Sequence, residues 1–599
     1  MKIRTIRSAR WWAVFLVGAL IAALIAVPVS ADSHDPFTLT ILHNNDGESA
    51  LLPSGDEAGV ARFATALKRA KRTALNQGDG FIMVSSGDNF LASPEFAASL
   101  ADGVFYDALA LDMLRYDAID LGNHDFDFGP DVLAAFIGDF RRPGQPPYLS
   151  SNLDFRREPA LQAYVNAGAI AKSTVVSEAG ELIGIIGATT ENLPFISSPR
   201  EVVVNAVLPA VRAEVAKLEA IGIDKIVFIS HLQDIDGDVM LAEGLSGVDV
   251  MIAGGGDELL ANSDDLLLPS DEPDDVFGPY PIVATDSDGV AVPVVTTSGQ
   301  YGYLGRLVVD FDADGNVTGW DGGPIRIVSP AVGRDGVPAD GRMQRVVVDP
   351  VALFVADLAT NVIATSEVDL DGQRDSVRFM ETNEGNLIAD SQLWQANQLA
   401  AAFGVGEADV ALQNGGGIRN DSVIPAGDIT ELNTFEMVPF GNFVTIMEGV
   451  DRQVFKDLLE NAVSRIDPAA TTGGTGRFAQ VAGFSFVFDT TGTAALIEDG
   501  VLTIPGTRVT DVVLDDGTVI VAGGAVVAGD DINVAVVDFT ARGGDEYQWG
   551  DGEFTALGVS YQQALFNYLT ADGADGGLGG VITAADYPEG GEGRITQLP

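Results

Sequence analysis

Short apolar runs alternate with amphipathic stretches from Phe37 to about Val328. The runs Leu39-Thr40-Ile41-Leu42, Phe81-Ile82-Met83-Val84, Ile183-Gly184-Ile185-Ile186, Lys225 to Ile229 and Val250-Met251-Ile252-Ala253 are β-rich and predict strands. Val60 to Ala70 and Val203 to Leu218 predict amphipathic helices between them. Strands alternating with helices predict an α/β layered domain. Most of the strand-like runs end in a polar cluster. In order these are Asn45-Asp46-Gly47-Glu48, Gly87-Asp88-Asn89, Gly122-Asn123-His124, Ser230-His231 and Gly254-Gly255-Gly256-Asp257-Glu258. The carboxyl ends of strands converge on one rim in such folds, so these clusters are expected to meet in space.

The pattern changes after residue 335. Residues 336–365 read as a helix-containing connector, and 366–575 as a second, α+β domain. Glu381-Thr382-Asn383-Glu384-Gly385-Asn386-Leu387 leads into a helix, Gln453 to Ala462 is helical, and Phe484 to Phe488 and Ile532 to Phe539 are β-rich. The Gly- and Asp-rich tail, 576–599, is expected to be loosely held. A chain of 599 residues exceeds a single core, in keeping with two domains. No internal repeat and no Walker or dinucleotide fingerprint is present.

Residues 1–31 carry Lys2, Arg4, Arg7 and Arg10, an apolar stretch from Trp11 to Val27, and Val29-Ser30-Ala31 before Asp32. This is the form of a cleavable secretory signal, implying an extracellular, periplasmic or envelope location. The stretch is also close to membrane-spanning length, which leaves a retained anchor as the alternative. There is no cysteine, so neither disulfides nor a lipidated cysteine contribute. Without the signal the formal charge moves from −52 to −56, because four basic and no acidic residues leave. Such a surface repels nucleic acid polymers and anionic membranes. No protein partner and no stable membrane insertion after signal cleavage are expected.

Asn123-His124-Asp125-Phe126-Asp127-Phe128-Gly129 brings an amide, an imidazole and two carboxylates together after an apolar run, and holds one of only four histidines. An asparagine can ligate a cation through its carbonyl, an imidazole can donate to a leaving oxygen, and Asp127 can fix its tautomer. Chemistry on a metal-bound phosphate is the expectation, with a polar turn closing a buried strand as the plain alternative.

Leu42-His43-Asn44-Asn45-Asp46, Ser86-Gly87-Asp88-Asn89, Leu121 to Gly129, Ser151-Asn152-Leu153, Ser230-His231 and Gly254-Gly255 follow one another in the first domain. Thr382 to Leu387, Gln413-Asn414-Gly415-Gly416-Gly417-Ile418-Arg419, Pro439-Phe440-Gly441-Asn442 and Gly543-Gly544-Asp545 follow in the second. Together, and in this order, they resemble the secreted 5′-nucleotidases, including the type that is also a UDP-sugar hydrolase. The resemblance covers nearly the whole mature chain. It implies a calcineurin-like metallophosphoesterase domain over 32–335, layered as an αββα sandwich, and a C-terminal substrate-binding domain. It implies two divalent metals, with Asp88 bridging, Asp46 on one metal, and Asn123 and His231 on the other. His124 and Asp127 match the catalytic dyad, while His43 matches a structural position. Phe440 and Phe539 match the pair that sandwiches the base, Asn442 and Asp545 polar partners of base and ribose, and Arg419 a phosphate contact. Asn414 and Gly416 fall in the same substrate-binding motif. Each Phe considered alone reads better as core; the motifs around them favour binding.

Two positions depart from the family pattern. Glu48 stands where a histidine is usual, and Gly254-Gly255-Gly256 stands where the family has Gly-Gly-His. By position Glu258 replaces the missing ligand, with Asp257 as the lesser substitute. An oxygen-rich set of Asp46, Glu48, Asp88 and Glu258 favours Mn²⁺, Mg²⁺, Ca²⁺ or iron over Zn²⁺. The expected reaction is hydrolysis of 5′-nucleotides to nucleoside and phosphate. Hydrolysis of UDP-sugars, of 2′,3′-cyclic nucleotides or of esters lacking a base stays open, as do a sulfur-linked substrate and a silent nucleotide-binding protein.

Overall fold

The computed structural model describes residues 36–599 except 78–79, 142–143, 257, 468, 471–473, 499–500 and 551. The signal-like segment and Asp257 lie outside the described residues. Among the described residues, no helix is long and apolar enough to cross a membrane.

The first domain is built on two sheets packed face to face. A seven-stranded sheet runs in the order 317–326, 303–311, 37–44, 80–85, 118–120, 148–149 and 170–171, and a six-stranded one in the order 282–285, 291–295, 250–252, 226–231, 181–189 and 173–178. Leu39, Ile41, Ile82 and Val84 of the first sheet share a buried core with Ile185, Phe228 and Ile252 of the second. Helices close both outer faces. Val60–Gln77 packs Phe63 and Leu67 beneath the first sheet, and Val207–Glu219 packs Val211 and Val215 on the second. This is the αββα sandwich. The observed helices shift from their expected limits: the first extends to Gln77, and the second begins only at Val207 because Val203–Val204 pairs with Leu153–Asp154.

Parallel pairing fixes where the loops emerge. Phe37–Asn44 lies parallel to Gly80–Ser85, with Asn44 opposite Ser85, and Ser85 lies opposite Ile119 of the next strand. In the second sheet Ile226–His231 runs parallel to Val250–Ile252 and to Glu181–Thr189. The expected polar clusters therefore leave the sandwich at one rim.

The connector is helical over Gly341–Met343, wound as a wider turn over Gln344–Val348, and helical again over Asp349–Thr360. Val362–Ser366 is already a strand of the second domain, paired with Gly427–Thr430 and Val581–Ile582. The core sheet of that domain has the order 479–482, 410–414, 532–537, 443–450 and 554–560, with the long helix Asn383–Phe403 packed on it.

The tail is not loosely held. Val581–Ile582 pairs with Thr365 and Ser366, and Ile595–Gln597 runs parallel to Phe486–Phe488. Ile582, Tyr587 and Ile595 are buried, and Arg594 grips Asp390 at 2.6 and 3.0 Å. Three apolar anchors and a forked ion pair outweigh the chain entropy that the glycines and aspartates signal.

Candidate active site

Two loops of the first sheet meet at the rim. Asp46 N–H donates to Gly87 O at 3.1 Å and Glu48 N–H to Asp88 O at 2.9 Å. Asp46, Glu48 and Asp88 all have φ of 48°, a left-handed backbone that non-glycine residues adopt uncommonly. Gly122 lets the third loop approach, since a Cβ there would collide with Asp88 Oδ1. Across from them, Ile226–His231 delivers His231.

Asp46, Asp88 and His231 are buried, and each offers a ligand atom within 4.8 Å of the others. His231 Nδ1 donates to Ser86 O at 2.6 Å, so Nε2 is the nitrogen turned inward, 2.8 Å from Asp88 Oδ2 and 3.0 Å from Asn123 Oδ1. Fixing one imidazole nitrogen on a carbonyl so that the other can ligate is the usual outer support of a metal-binding histidine. Burial pushes the Asp46 carboxyl up to about 7, with Asp88 and Glu48 adding to the rise against His231. Burial also works to raise Asp88, but His231 and His124 outweigh it and hold the carboxyl below its ordinary value. His231 is held well above its ordinary value, because Asp88 and Asp46 overcome the cost of burying its charge. A buried carboxylate thus keeps an imidazole proton where a cation would balance it better. These residues fit a divalent metal.

Glu48 and Glu258 stand outside that triad. Glu48 Oε2 accepts from Gln300 Nε2 at 3.1 Å, and Glu258 Oε1 accepts from Ile235 N at 3.3 Å. The Glu258 carboxylate folds back over Gly256, where a Cβ would collide with Oε2. Asn123 Oδ1 also accepts from Gln233 Nε2, a residue the sequence did not single out.

His124 opens a single helical turn, His124–Phe126, directly beyond the strand Ala118–Asp120. Its backbone N–H donates to Asp88 Oδ1 at 2.8 Å, tying the turn to the buried carboxylate cluster, and its Nδ1 donates to Asp127 Oδ2 at 2.6 Å. Burial works against charging the ring, yet Asp127 and Asp88 hold it up at about 10. Nε2 is left to meet a ligand. His43 lies away from this chemistry, buried against the Tyr280 hydroxyl at 2.7 Å, and burial pushes its imidazole down to about 3.

The second domain faces His124 across a cavity of about 310 Å³. Asn123, His124 and Asp127 line one wall, and Asn414, Gly416, Arg419, Phe440, Asn442, Phe539 and Asp545 line the other. Phe440 is placed by its N–H donating to Tyr561 Oη at 3.0 Å, and that hydroxyl in turn donates to Gly417 O at 3.1 Å. The Phe539 ring lies over Gly544, where a Cβ would meet it at 2.5 Å. Asp545 accepts from Asn414 Nδ2 at 2.6 Å, and burial pushes its carboxyl up. The Arg419 guanidinium lies 5.5 Å from the Phe440 ring centroid.

Arg378 also lines this cavity and escaped the sequence reading. Its buried Nε has no hydrogen-bond partner among the described residues, and burial, with Arg374 and Arg419 adding like charge, pushes it down to about 10. A half-buried guanidinium beside two others fits an anion between them. Its signal was available: Arg374 and Arg378 stand four apart, just ahead of the Glu381 motif, in a chain with only 34 basic residues.

A sandwich carrying acidic and imidazole side chains at one rim, capped by a second domain across a cavity, defines a two-domain metallophosphoesterase, a hydrolase of phosphoric esters. Residues 362–551 match the family model described as the 5′-nucleotidase C-terminal domain. The chain is 30% identical over 483 residues to a 5′-nucleotidase of Mus musculus, covering 78% of each chain. It is 32% identical to a 5′-nucleotidase precursor of Thermus thermophilus, whose crystal structure superimposes with a TM-score of 0.69 over 94% of this chain and 99% of that one. The chain belongs to the 5′-nucleotidase family. A sulfate thiohydrolase from Thermus thermophilus, 14% identical with a TM-score of 0.55 over 95% of this chain and 98% of that one, shares the fold alone.

Proposed function

We propose that the protein is an exported, divalent-metal-dependent phosphomonoesterase that converts 5′-nucleotides to nucleoside and phosphate. One observation carries the reading: a single cavity has His124 on one wall and Phe440, Phe539 and Asp545 on the other. A phosphate ester with an aromatic base is the ligand that uses both walls. Relatives named 5′-nucleotidase support the same substrate class.

Asp46, Asp88, Asn123 and His231 would hold the metals, with Glu48 and Glu258 completing the set by turning from Gln300 and from Ile235 N. Bound there, divalent cations supply Lewis acidity toward the phosphoryl group and a nucleophile at neutral pH. The acid-rich ligand set favours Mn²⁺, Mg²⁺, Ca²⁺ or iron over zinc. Asp127 holds the His124 tautomer, so that Nε2 stabilises phosphoryl charge or delivers a proton to the departing 5′-oxygen. Arg378 and Arg419 neutralise phosphate on the second domain, while Phe440 and Phe539 stack the base and Asn442 and Asp545 hold base and ribose. The N-terminal segment directs the chain out of the cell.

The test is phosphate release from a panel of nucleotides and p-nitrophenyl phosphate, with each metal added separately, beside His124→Ala. Nucleotide turnover that needs added metal and is lost in the variant is expected. Release that is indifferent to the substitution would remove His124 from its role.

A further inference from the structure

We propose that Ser197 is a positioning residue that couples the docking of the second domain to the orientation of His124. The inference rests on the reading of His124 and Asp127 as the catalytic pair. Ser197 Oγ donates to Asp127 Oδ1 at 2.8 Å, and Oδ2 of the same carboxylate accepts from His124 Nδ1 at 2.6 Å. Each oxygen has its own partner, so the carboxylate cannot rotate without breaking one bond. The ring it orients is fixed in turn.

Ser197 sits where it can transmit a distant event. It closes the helical turn Leu193–Ile196, with its N–H donating to Leu193 O at 3.2 Å and Leu193 fully buried. That turn packs against Gly544–Glu546 of the second domain, the turn that carries Asp545. Ile196 and Ser198, on either side of Ser197, line the cavity. One short segment therefore touches the ligand-binding turn on one side and the catalytic carboxylate on the other. Were the second domain to move away, the turn would lose its outer support and Asp127 the constraint on one oxygen. Productive alignment of His124 is then tied to a docked second domain, a state that contacts to a base would favour and that an ester without a base would not.

The experiment compares Ser197→Ala and Ser197→Thr with the full-length parent, on AMP and on glycerol 2-phosphate. For AMP, Ser197→Ala is expected to lower kcat about tenfold or more while KM and the affinity for a non-hydrolysable adenosine phosphonate stay within about twofold. Ser197→Thr, which keeps the hydroxyl, restores kcat. On glycerol 2-phosphate the alanine variant costs less than about twofold, because that ester never profits from docking. The low-field Nδ1 proton signal of His124 broadens in Ser197→Ala and sharpens again in Ser197→Thr. An alanine variant with parental kcat on AMP, a loss that threonine does not restore, or an equal loss on both esters overturns the proposal. The catalytic reading fails separately: a His124→Ala protein with parental kcat removes the pair from catalysis, while the proton signal still decides whether Ser197 orders the ring.

Discussion

The His124 imidazole lies nearly parallel to the Phe440 ring across the domain boundary, with centroids 6.4 Å apart and planes 11° apart. The two rings belong to different domains and were singled out for different reasons. Their contact puts the imidazole proposed to face the leaving oxygen and the ring proposed to stack a base within one ligand's length. Removing the Phe440 ring should therefore cost recognition of the nucleoside and spare the phosphate chemistry. Stacking is worth ~1–3 kcal/mol per base, so Phe440→Ala should raise KM for AMP about 5- to 150-fold. Turnover of glycerol 2-phosphate should hold. Steady-state kinetics on both esters check this, and an equal loss on both would place Phe440 in the core instead.

Arg378 makes a second, separable prediction. Its orphaned Nε and its crowding by Arg374 and Arg419 are costs that a bound anion would relieve. Losing a hydrogen bond to a charged group costs ~1.5–3 kcal/mol, so Arg378→Ala should weaken competitive inhibition by inorganic phosphate about 10- to 150-fold. Arg378→Lys should not recover it, since an ammonium lacks the planar fork. Unchanged inhibition would show that the guanidinium serves the fold.

Much of this site was legible because its chemistry is written locally. Polar clusters at the ends of apolar runs report a rim, and Asn414, Gly416, Arg419, Phe440, Asn442 and Asp545, all within short motifs, line the cavity opposite His124. What escaped depends on partners far away in the chain. Ser197 becomes meaningful only because Asp127, 70 residues earlier, accepts its hydroxyl. The tail looked loose because Gly and Asp dominate it, yet Val581 pairs with Thr365, a register that no local periodicity carries. Glu258 was placed by position alone, which says nothing of its direction; its carboxylate turns toward Ile235 N. The ends of the connector blurred for a similar reason, since Val362–Ser366 becomes a strand only through neighbours outside it.

The ligand chemistry predicts how metal removal and replacement should behave. Chelation should abolish ester hydrolysis, and Mn²⁺ or Mg²⁺ should restore it better than Zn²⁺. Binding to the folded state alone should also stabilise it, by about 2.7 kcal/mol at a hundredfold excess over Kd, visible as a rise in Tm. Replacing both acids with imidazoles, Glu48→His with Glu258→His, should move the preference toward zinc. Stoichiometric zinc in protein purified without chelator, or best restoration by zinc in the parent, would sink the hard-metal reading.

His43 supplies a pH dependence independent of catalysis. Burial lowers its imidazole from 6.5 to about 3 in the folded chain, while the unfolded chain keeps the ordinary value. Below 6.5 the unfolded state takes up a proton that the folded state refuses, so stability falls with pH through this window. The contribution is complete above about pH 6.5, and about 2 kcal/mol of it is gone by about pH 5. His124 and His231, held above their ordinary values, act in the opposite sense, and their part is unchanged when only His43 is altered. His43→Gln keeps a polar partner for the Tyr280 hydroxyl but cannot titrate. Urea unfolding of parent and variant at about pH 7.5 and about pH 5 should therefore show the parent losing about 2 kcal/mol more than the variant on acidification. Parallel losses in the two proteins would mean that His43 takes up its proton without unfolding.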